Sequence, residues 1–316
     1  MKRRIRGLYT FNILKGCEGK SKMQKGELAK KLIKEKRDLF ICPVCGGEIT
    51  IQEAKSLVCL NRHTFDISKR GYINMLLRPV KTDYNKEMLE SRNIICKSGF
   101  FDPMLSGVSE LILEKVKENN LLETTILDAG CGEGSHLSSI LRNLKGKVNT
   151  NLLGIGIDIS KEGINIASRD YTNIIWCVAD LAKIPLKDKQ FDIVLNMLSP
   201  ANYVEFTRIL KDNGILIKVV PGNKYLTELR DLFFDENNKK TYSNDKVIQH
   251  FSDNYQIIDH KKILYNVRLP NENTKHLLKM TPLSWNVENE RIEKVINMGI
   301  KDITVDFEII VGKNKP

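Results

Sequence analysis

From residue 124 onward, short apolar runs alternate with stretches of helical period, and this alternation limits the fold more than any other feature of the chain. TTILDAG reads as a strand, SHLSSILRNLK as a helix, NLLGIGID as a strand and KEGINIASRD as a helix. IIWCVAD and FDIVLNML follow as strands, YVEFTRILK as a helix, GILIKVVP as a strand and NKYLTELRDLFF as a helix. Strands without a polar face, joined by helical crossovers, imply a mostly parallel sheet covered on both sides. YQIIDHKKILYNVRL and DITVDFEIIVG read as two closing strands around a helical insert containing KHLLKMTPLSW. Upstream, KEMLESRNIICKSG and DPMLSGVSELILEKVKEN read as helices, the second with Pro103 in its first turn.

The first strand of the alternation runs into ILDAGCGEG, residues 126–134. Gly130, Gly132 and Gly134 follow a GxGxG spacing, not the GxGxxG of dinucleotide folds. Asp128 precedes the loop and Glu133 lies inside it, and two acids beside a pyrophosphate would repel it. They suit a ligand with a cationic centre and free hydroxyls, such as S-adenosylmethionine. The second strand ends in Asp158, where a carboxylate accepts ribose hydroxyls. The third ends in VADLAKIP, where Asp180 suits the adenine amine and Leu181 the ring face. In an open α/β sheet ligands bind at the carboxyl ends of the strands. The fold class read from this pattern is therefore α/β, a class I (Rossmann-like) methyltransferase sheet.

Residues 39–79 are too few to bury a core of their own. They hold CPVC and then CLNRH, so Cys42, Cys45, Cys59 and His63 form a four-ligand set with thirteen residues between its halves. Three thiolates and an imidazole make a closed tetrahedral shell, which is the composition of structural zinc. Gly46 and Gly47 suit the tight turn of such a knuckle. The chain divides into a basic extension (1–38), a zinc module (39–79) and a cofactor domain (80–316), joined N- to C-terminally.

Charge sharpens that division. Of a net +11, residues 1–38 carry +9, residues 39–79 carry +2 and residues 80–316 are balanced. The basic arm reads either as a contact to RNA phosphates or as a solvated tail. Seven cysteines, an odd and scattered set, point away from a secreted disulfide framework and toward a cytoplasmic protein. The start MKRRIRGLYTFNILKGC is basic, then apolar, but Arg6, Asn12 and Lys15 interrupt a secretory pattern. No run approaches the ~18 apolar residues of a membrane span. Cys96, Cys131 and Cys177 lack the basic surroundings that would mark a reactive thiolate and read as small buried residues, and His136 as a satisfied helix-start residue.

In this order, CPVC…CLNRHTFDISKRGYINML, EMLESRNIICKSGFFDP, LDAGCGEG and LLKMTPLSW resemble the bacterial 23S rRNA guanine-N1 methyltransferases over residues 40–312. The Gram-positive branch of that family includes macrolide-resistance enzymes such as the tylosin-resistance one. The resemblance implies zinc at the four ligands, cofactor contacts at Gly132 and Glu133, and rings at Phe101 and Tyr225 near the cofactor. It departs at those two positions, where the Gram-negative branch carries Tyr and His. It also implies a homodimer whose zinc modules flank an RNA cleft.

The expected reaction is methyl transfer from S-adenosylmethionine to N1 of a guanine in a 23S rRNA hairpin. The alternatives are a small-molecule methyltransferase, acting on a quinone or metabolite, and an RNA-binding module without catalysis. The enzyme's main task is to hold the nucleophilic nitrogen near the methyl and to exclude water. The loop NMLSP, Asn196 to Pro200, follows the fourth strand where a target base would sit. Its amide and carbonyls are expected to accept from the guanine edge, and no carboxylate offers a general base. Trp285 reads either as a stacking platform for an unpaired base or as a core tryptophan. Arg62, Lys69 and Arg70 form the expected RNA-binding cluster of the zinc module.

Overall fold

A computed structural model of the chain describes residues 25–53, 55–80, 84–119, 122–234 and 242–315. The signal-like start, Cys17 and most of the basic arm lie outside them.

Helix α1 (Lys25–Glu35) is the Lys-rich end of that arm, and it is not a solvated tail. Its Ile33 is 0% exposed and joins the core of the zinc module. Lys36 pairs with Glu123 at 2.6 Å, tying the end of this segment to the first long strand of the body. Of the two readings of the basic arm, the solvated tail is thus corrected for residues 25–38. The 3.6-residue spacing of its few apolar side chains gave the helix, but a receiving surface is visible only in three dimensions.

Three short strands, β1 (Ile49–Gln52), β2 (Ser56–Cys59) and β3 (Thr64–Asp66), form an antiparallel sheet of the zinc module. The next strand, β4 (Tyr72–Asn74), leaves it and pairs in parallel with the body, Tyr72 lying opposite Trp176. The zinc module expected over residues 39–79 thus supplies an edge strand of the main sheet. Phe40, Ile49, Leu57, Phe65 and Met75 share one apolar cluster with Leu127, Ile155 and Ile175 of the body. A segment of this size gains burial by borrowing surface from a larger neighbour.

Helices α2 (Lys86–Lys97) and α3 (Asp102–Asn119) then lead into β5 (Glu123–Ala129). The alternation continues as α4 (Ser135–Leu144), β6 (Asn151–Asp158), α5 (Lys161–Asp170), β7 (Ile174–Val178), β8 (Phe191–Met197), α6 (Tyr203–Ile209), β9 (Leu210–Pro221), α7 (Thr227–Phe233) and α8 (Asp245–Asn254). Strand β10 (Tyr255–Arg268) is followed by α9 (Asn271–Met280), α10 (Asn289–Met298) and β11 (Asp302–Asn314). The eight-stranded sheet has the order β10-β11-β9-β8-β5-β6-β7-β4, parallel from β4 to β9, with β11 antiparallel to both its neighbours. Strand order reverses about β5, where the chain builds outward to β6 and β7 and then returns to β8. Such a switch point opens a crevice at the carboxyl ends of the strands. The helical insert between β10 and β11 packs its α9 against α2.

Candidate functional site: a glycine-loop crevice beside a Cys3His cluster

The loop after β5 is held by its neighbour strand. The amides of Gly130 and Cys131 donate to the Ile157 carbonyl at 2.8 and 3.0 Å. Gly130 sits at φ 85°, and a Cβ there would lie 2.6 Å from Ser199. Gly132, at φ 57°, meets a different environment: among the described residues, its chain neighbours apart, only Arg92 Nε lies within 4 Å of its would-be Cβ, at 3.8 Å. The backbone at Gly132 therefore faces open space, with a guanidinium on its border.

The structure brings Asp128, Gly130, Gly132, Glu133 and Asp158 to this one place but gives them different tasks. Asp158 Oδ2 accepts from the Gly132 amide and Oδ1 from the Ser160 amide, both at 2.7 Å, so this carboxylate shapes the loop as well as bordering the crevice. Glu133 is fully buried, and its carboxylate accepts from the Ser135 amide (2.7 Å), the Ser135 hydroxyl (2.8 Å) and Arg92 Nε (3.2 Å). Its side chain caps α4 and anchors Arg92, which corrects the expectation of an acid turned toward a ligand. An acid at a helix N-terminus is favoured by the helix dipole.

Asp128 differs. It is 1% exposed, and neither carboxylate oxygen has a hydrogen-bond partner. Burial pushes its pKa up to about 8; Asp158 and Glu133 add to the rise and Arg92 opposes it. A buried acceptor without a donor costs about 1–3 kcal/mol, so such a group marks a place where a donor is missing. A ligand ammonium satisfies it, and S-adenosylmethionine carries one. The residues fit that cofactor on this ground.

At the end of β7, Asp180 is exposed and Leu181 half-buried; Asp180 Oδ1 accepts from the Ala182 amide at 2.8 Å. Phe101 is buried, stacked edge-on to His136 and close to Phe307. Tyr225 is half-buried and also packs on Phe307. The two aromatic positions thus meet at one ring.

The expectation for Asn196 is corrected. Its side chain is wholly buried, and its Nδ2 donates to the carbonyls of Ala129 (3.1 Å) and Pro200 (2.9 Å) and to Ser199 Oγ (2.6 Å). Its Oδ1 accepts from Lys218 Nζ. The amide has no free edge for a base and instead ties the NMLSP loop to the glycine loop. Pro200 is exposed at the rim. Lys218, missed in the sequence because GILIKVVP reads as a core strand, is only 4% exposed and is pushed down to about 8 by burial. A lysine inside an all-apolar run was the signal. Trp285 is 44% exposed and meets Tyr84 edge-to-face at 6.1 Å, so it is not a core residue.

Arg92 was also missed, because it lies on a helix 41 residues before Glu133. Its Nη2 donates to His136 Nδ1 at 3.3 Å, and burial with the adjacent cation holds that imidazole well below its ordinary pKa. Cys96 has His136 Nε2 at 3.7 Å and Arg92 nearby, yet burial and the Glu133 carboxylate, 3.5 Å from its Sγ, push its thiol up and keep it inert.

The second centre is the zinc module. The ligand atoms of Cys42, Cys45, Cys59 and His63 all lie within 4.8 Å of one another. His63 Nδ1 is 3.5 Å from Cys42 Sγ and 3.3 Å from Cys59 Sγ, and the Cys45 and Cys59 sulfurs are 3.7 Å apart. Zinc–sulfur and zinc–nitrogen bonds of about 2.3 and 2.0 Å give tetrahedral edges of roughly 3.5–3.8 Å, so the donor set fits zinc. Of the expected basic cluster, Arg62 lies in the knuckle before β3, and Lys69 and Arg70 follow that strand, with Arg70 donating to Asn165 Oδ1 at 2.8 Å.

Comparison with known proteins gives the same two parts. Residues 122–280 match the family described as "Methyltransferase domain", and residues 40–86 match "RlmA, N-terminal", a zinc ribbon. The YxjB protein of Bacillus subtilis (strain 168), provisionally named a 23S rRNA (guanine-N(1)-)-methyltransferase, is 42% identical over 87% of this chain and 96% of its own. The 23S rRNA (guanine(748)-N(1))-methyltransferase of Streptomyces fradiae is 25% identical over the same shares. Among solved structures, a SAM-dependent methyltransferase from Aquifex aeolicus aligns over 56% of this chain and 92% of its own, with 19% identity and a TM-score of 0.40.

Proposed function

Because the chain belongs to the family of 23S rRNA (guanine-N1) methyltransferases, we propose that it transfers a methyl group from S-adenosylmethionine to N1 of a guanine in a 23S rRNA hairpin. The observation that carries this reading is the fusion of a Cys3His ribbon to the sheet that forms the glycine-loop crevice, with β4 as the shared strand. A small-molecule acceptor would leave that ribbon without a task.

When bound, S-adenosylmethionine supplies an electrophilic methyl group on a sulfonium. The chain's residues do the rest. Asp128 offers its two unpaired oxygens to a cation, the bare backbone of Gly132 allows close approach, and Asp158 borders the crevice at the end of β6. Asp180 and Leu181 lie at the end of β7, where an adenine edge and face would be met. Asn196 and Lys218 brace the Ser199–Pro200 rim from beneath, which holds the base-binding side of the crevice rigid. Trp285 and Tyr84 present ring faces on which an unstacked base can lie. Residues 39–79, with Arg62 on the knuckle, contact the RNA in this reading.

Zinc folds the ribbon and has no open position for chemistry. The site of action is the cytoplasm; in the described residues no helix is long and apolar enough to cross a membrane. Pairing of two copies, implied by the resemblance, belongs to the same proposal and is tested by sedimentation. The decisive experiment is incubation with methyl-labelled cofactor and unmodified 23S rRNA, followed by nucleoside analysis. Label in 1-methylguanosine is the expected result; label elsewhere, or none, refutes the reading.

A further inference from the structure

Helix α2 lies outside the glycine-loop motif, yet it delivers a charged group to the crevice. Arg92 gives Nε to Glu133 Oε1 and Nη2 to His136 Nδ1, at 3.2 and 3.3 Å. A guanidinium has five N–H donors in a fixed fork, and these are its two hydrogen bonds among the described residues. The side chain is not sealed, being 22% exposed. Its Nε is the atom that borders the open space above Gly132. The acids around it keep it charged despite burial.

Two further details fix its aim. Glu133 shares its charge with the Ser135 amide and hydroxyl, so it does not consume the whole fork. His136 accepts through Nδ1 and is wedged edge-on against the Phe101 ring, which holds the guanidinium plane in place. Near it is Asp128 with both oxygens unpartnered, close enough for the two charges to shift one another's ionisation. One cation and one unpartnered anion beside a bare glycine backbone make the complement of a zwitterion.

We propose that Arg92 binds the α-carboxylate at the amino-acid end of the cofactor while Asp128 takes the neighbouring ammonium. The proposal rests on the cofactor reading above. It assigns the amino-acid end to a residue of α2, the helix that follows the zinc ribbon in sequence.

The test is calorimetry with two probes: S-adenosylhomocysteine, and the same thioether nucleoside with an aminopropyl tail in place of the amino-acid tail. The second keeps the amine and lacks only the carboxylate. A charge-assisted contact predicts that the wild-type protein prefers the first by about ten- to a hundredfold. Arg92→Met should erase that preference while changing the affinity for the aminopropyl probe by less than about threefold. Arg92→Lys should restore part of it, because a point charge replaces the fork. Equal wild-type affinity for the two probes overturns the assignment, as does a preference that survives in Arg92→Met. Should the variant not fold, as read from its unfolding midpoint, the wild-type ratio and Arg92→Lys still decide. Failure of the wild-type protein to bind either probe would instead remove the cofactor reading, and this inference with it.

Discussion

Replacing Asp128 with Asn separates what the crevice costs from what it does. The wild-type carboxyl is buried, unpartnered and held at about 8 instead of 3.8. The folded protein thus keeps a proton that the unfolded chain releases, so stability is fully present below the unfolded value and is lost as pH rises through 8. The gap between 3.8 and 8 amounts to at most about 6 kcal/mol, at about 1.4 kcal/mol per pH unit. The amide of Asn is neutral at every pH and nearly the same shape. From pH 6 to 8 the variant should therefore gain up to about 3 kcal/mol relative to the wild type. Urea unfolding of the ligand-free proteins, with zinc present, measures the difference at each pH. A cationic group brought to Asp128 restores its ionisation, so saturating cofactor should flatten the wild-type dependence, and Asp128→Asn should bind cofactor at least about tenfold more weakly. A stability difference that does not change between pH 6 and 8 would refute the reasoning. So would unchanged cofactor affinity in the variant.

Further outcomes follow from other parts of the structure. Chelating zinc, or Cys59→Ser, should lower a single calorimetric transition of the whole chain rather than melt the ribbon separately, because the two share β4 and one apolar cluster. Ile33→Ala should cost about 2–4 kcal/mol in chemical denaturation, as expected of a buried residue and not of a tail. Asn196→Ala removes the side-chain acceptor of Lys218, leaving it the Ser199 carbonyl, and three loop contacts, so the methylation rate should fall by tenfold or more with cofactor affinity held; Lys218→Met in the same chain should recover stability, read from the unfolding midpoint. Trp285→Ala should leave stability within about 0.5 kcal/mol but weaken binding of an rRNA hairpin, measured by filter retention.

The catalytic-domain elements were legible because each is a local pattern. Helix α3 was expected over Asp102–Asn119 and forms there, and β5 through β9 fall on the apolar runs that predict them. The four metal ligands were legible for a similar reason: thiolates at C-x2-C spacing answer to few other chemistries. The limits of α1 and β4 were not. Ile33 sits in a Lys-rich stretch, and the run Tyr72–Leu77 is largely apolar but does not show which sheet receives it; the cluster around Ile33 and the pairing of β4 with β7 exist only in three dimensions. Asn196 was expected to meet a base, but its side chain is buried and turned to the Ala129 carbonyl 67 residues away, a direction that only the folded chain sets.

What the residue order alone determined was chemistry of local origin: an alternating α/β chain, a glycine turn flanked by acids, a zinc shell. Those follow from period, turn geometry and ligand spacing, which act over a few residues. The tertiary structure alone decided which acids stay free. Glu133 and Asp158 are occupied by backbone and arginine donors, Asp128 is left bare, and Arg92 arrives from a distant helix to stand near it. That division is set by desolvation and by donors brought together from far along the chain, and neither quantity exists until the sheet has formed.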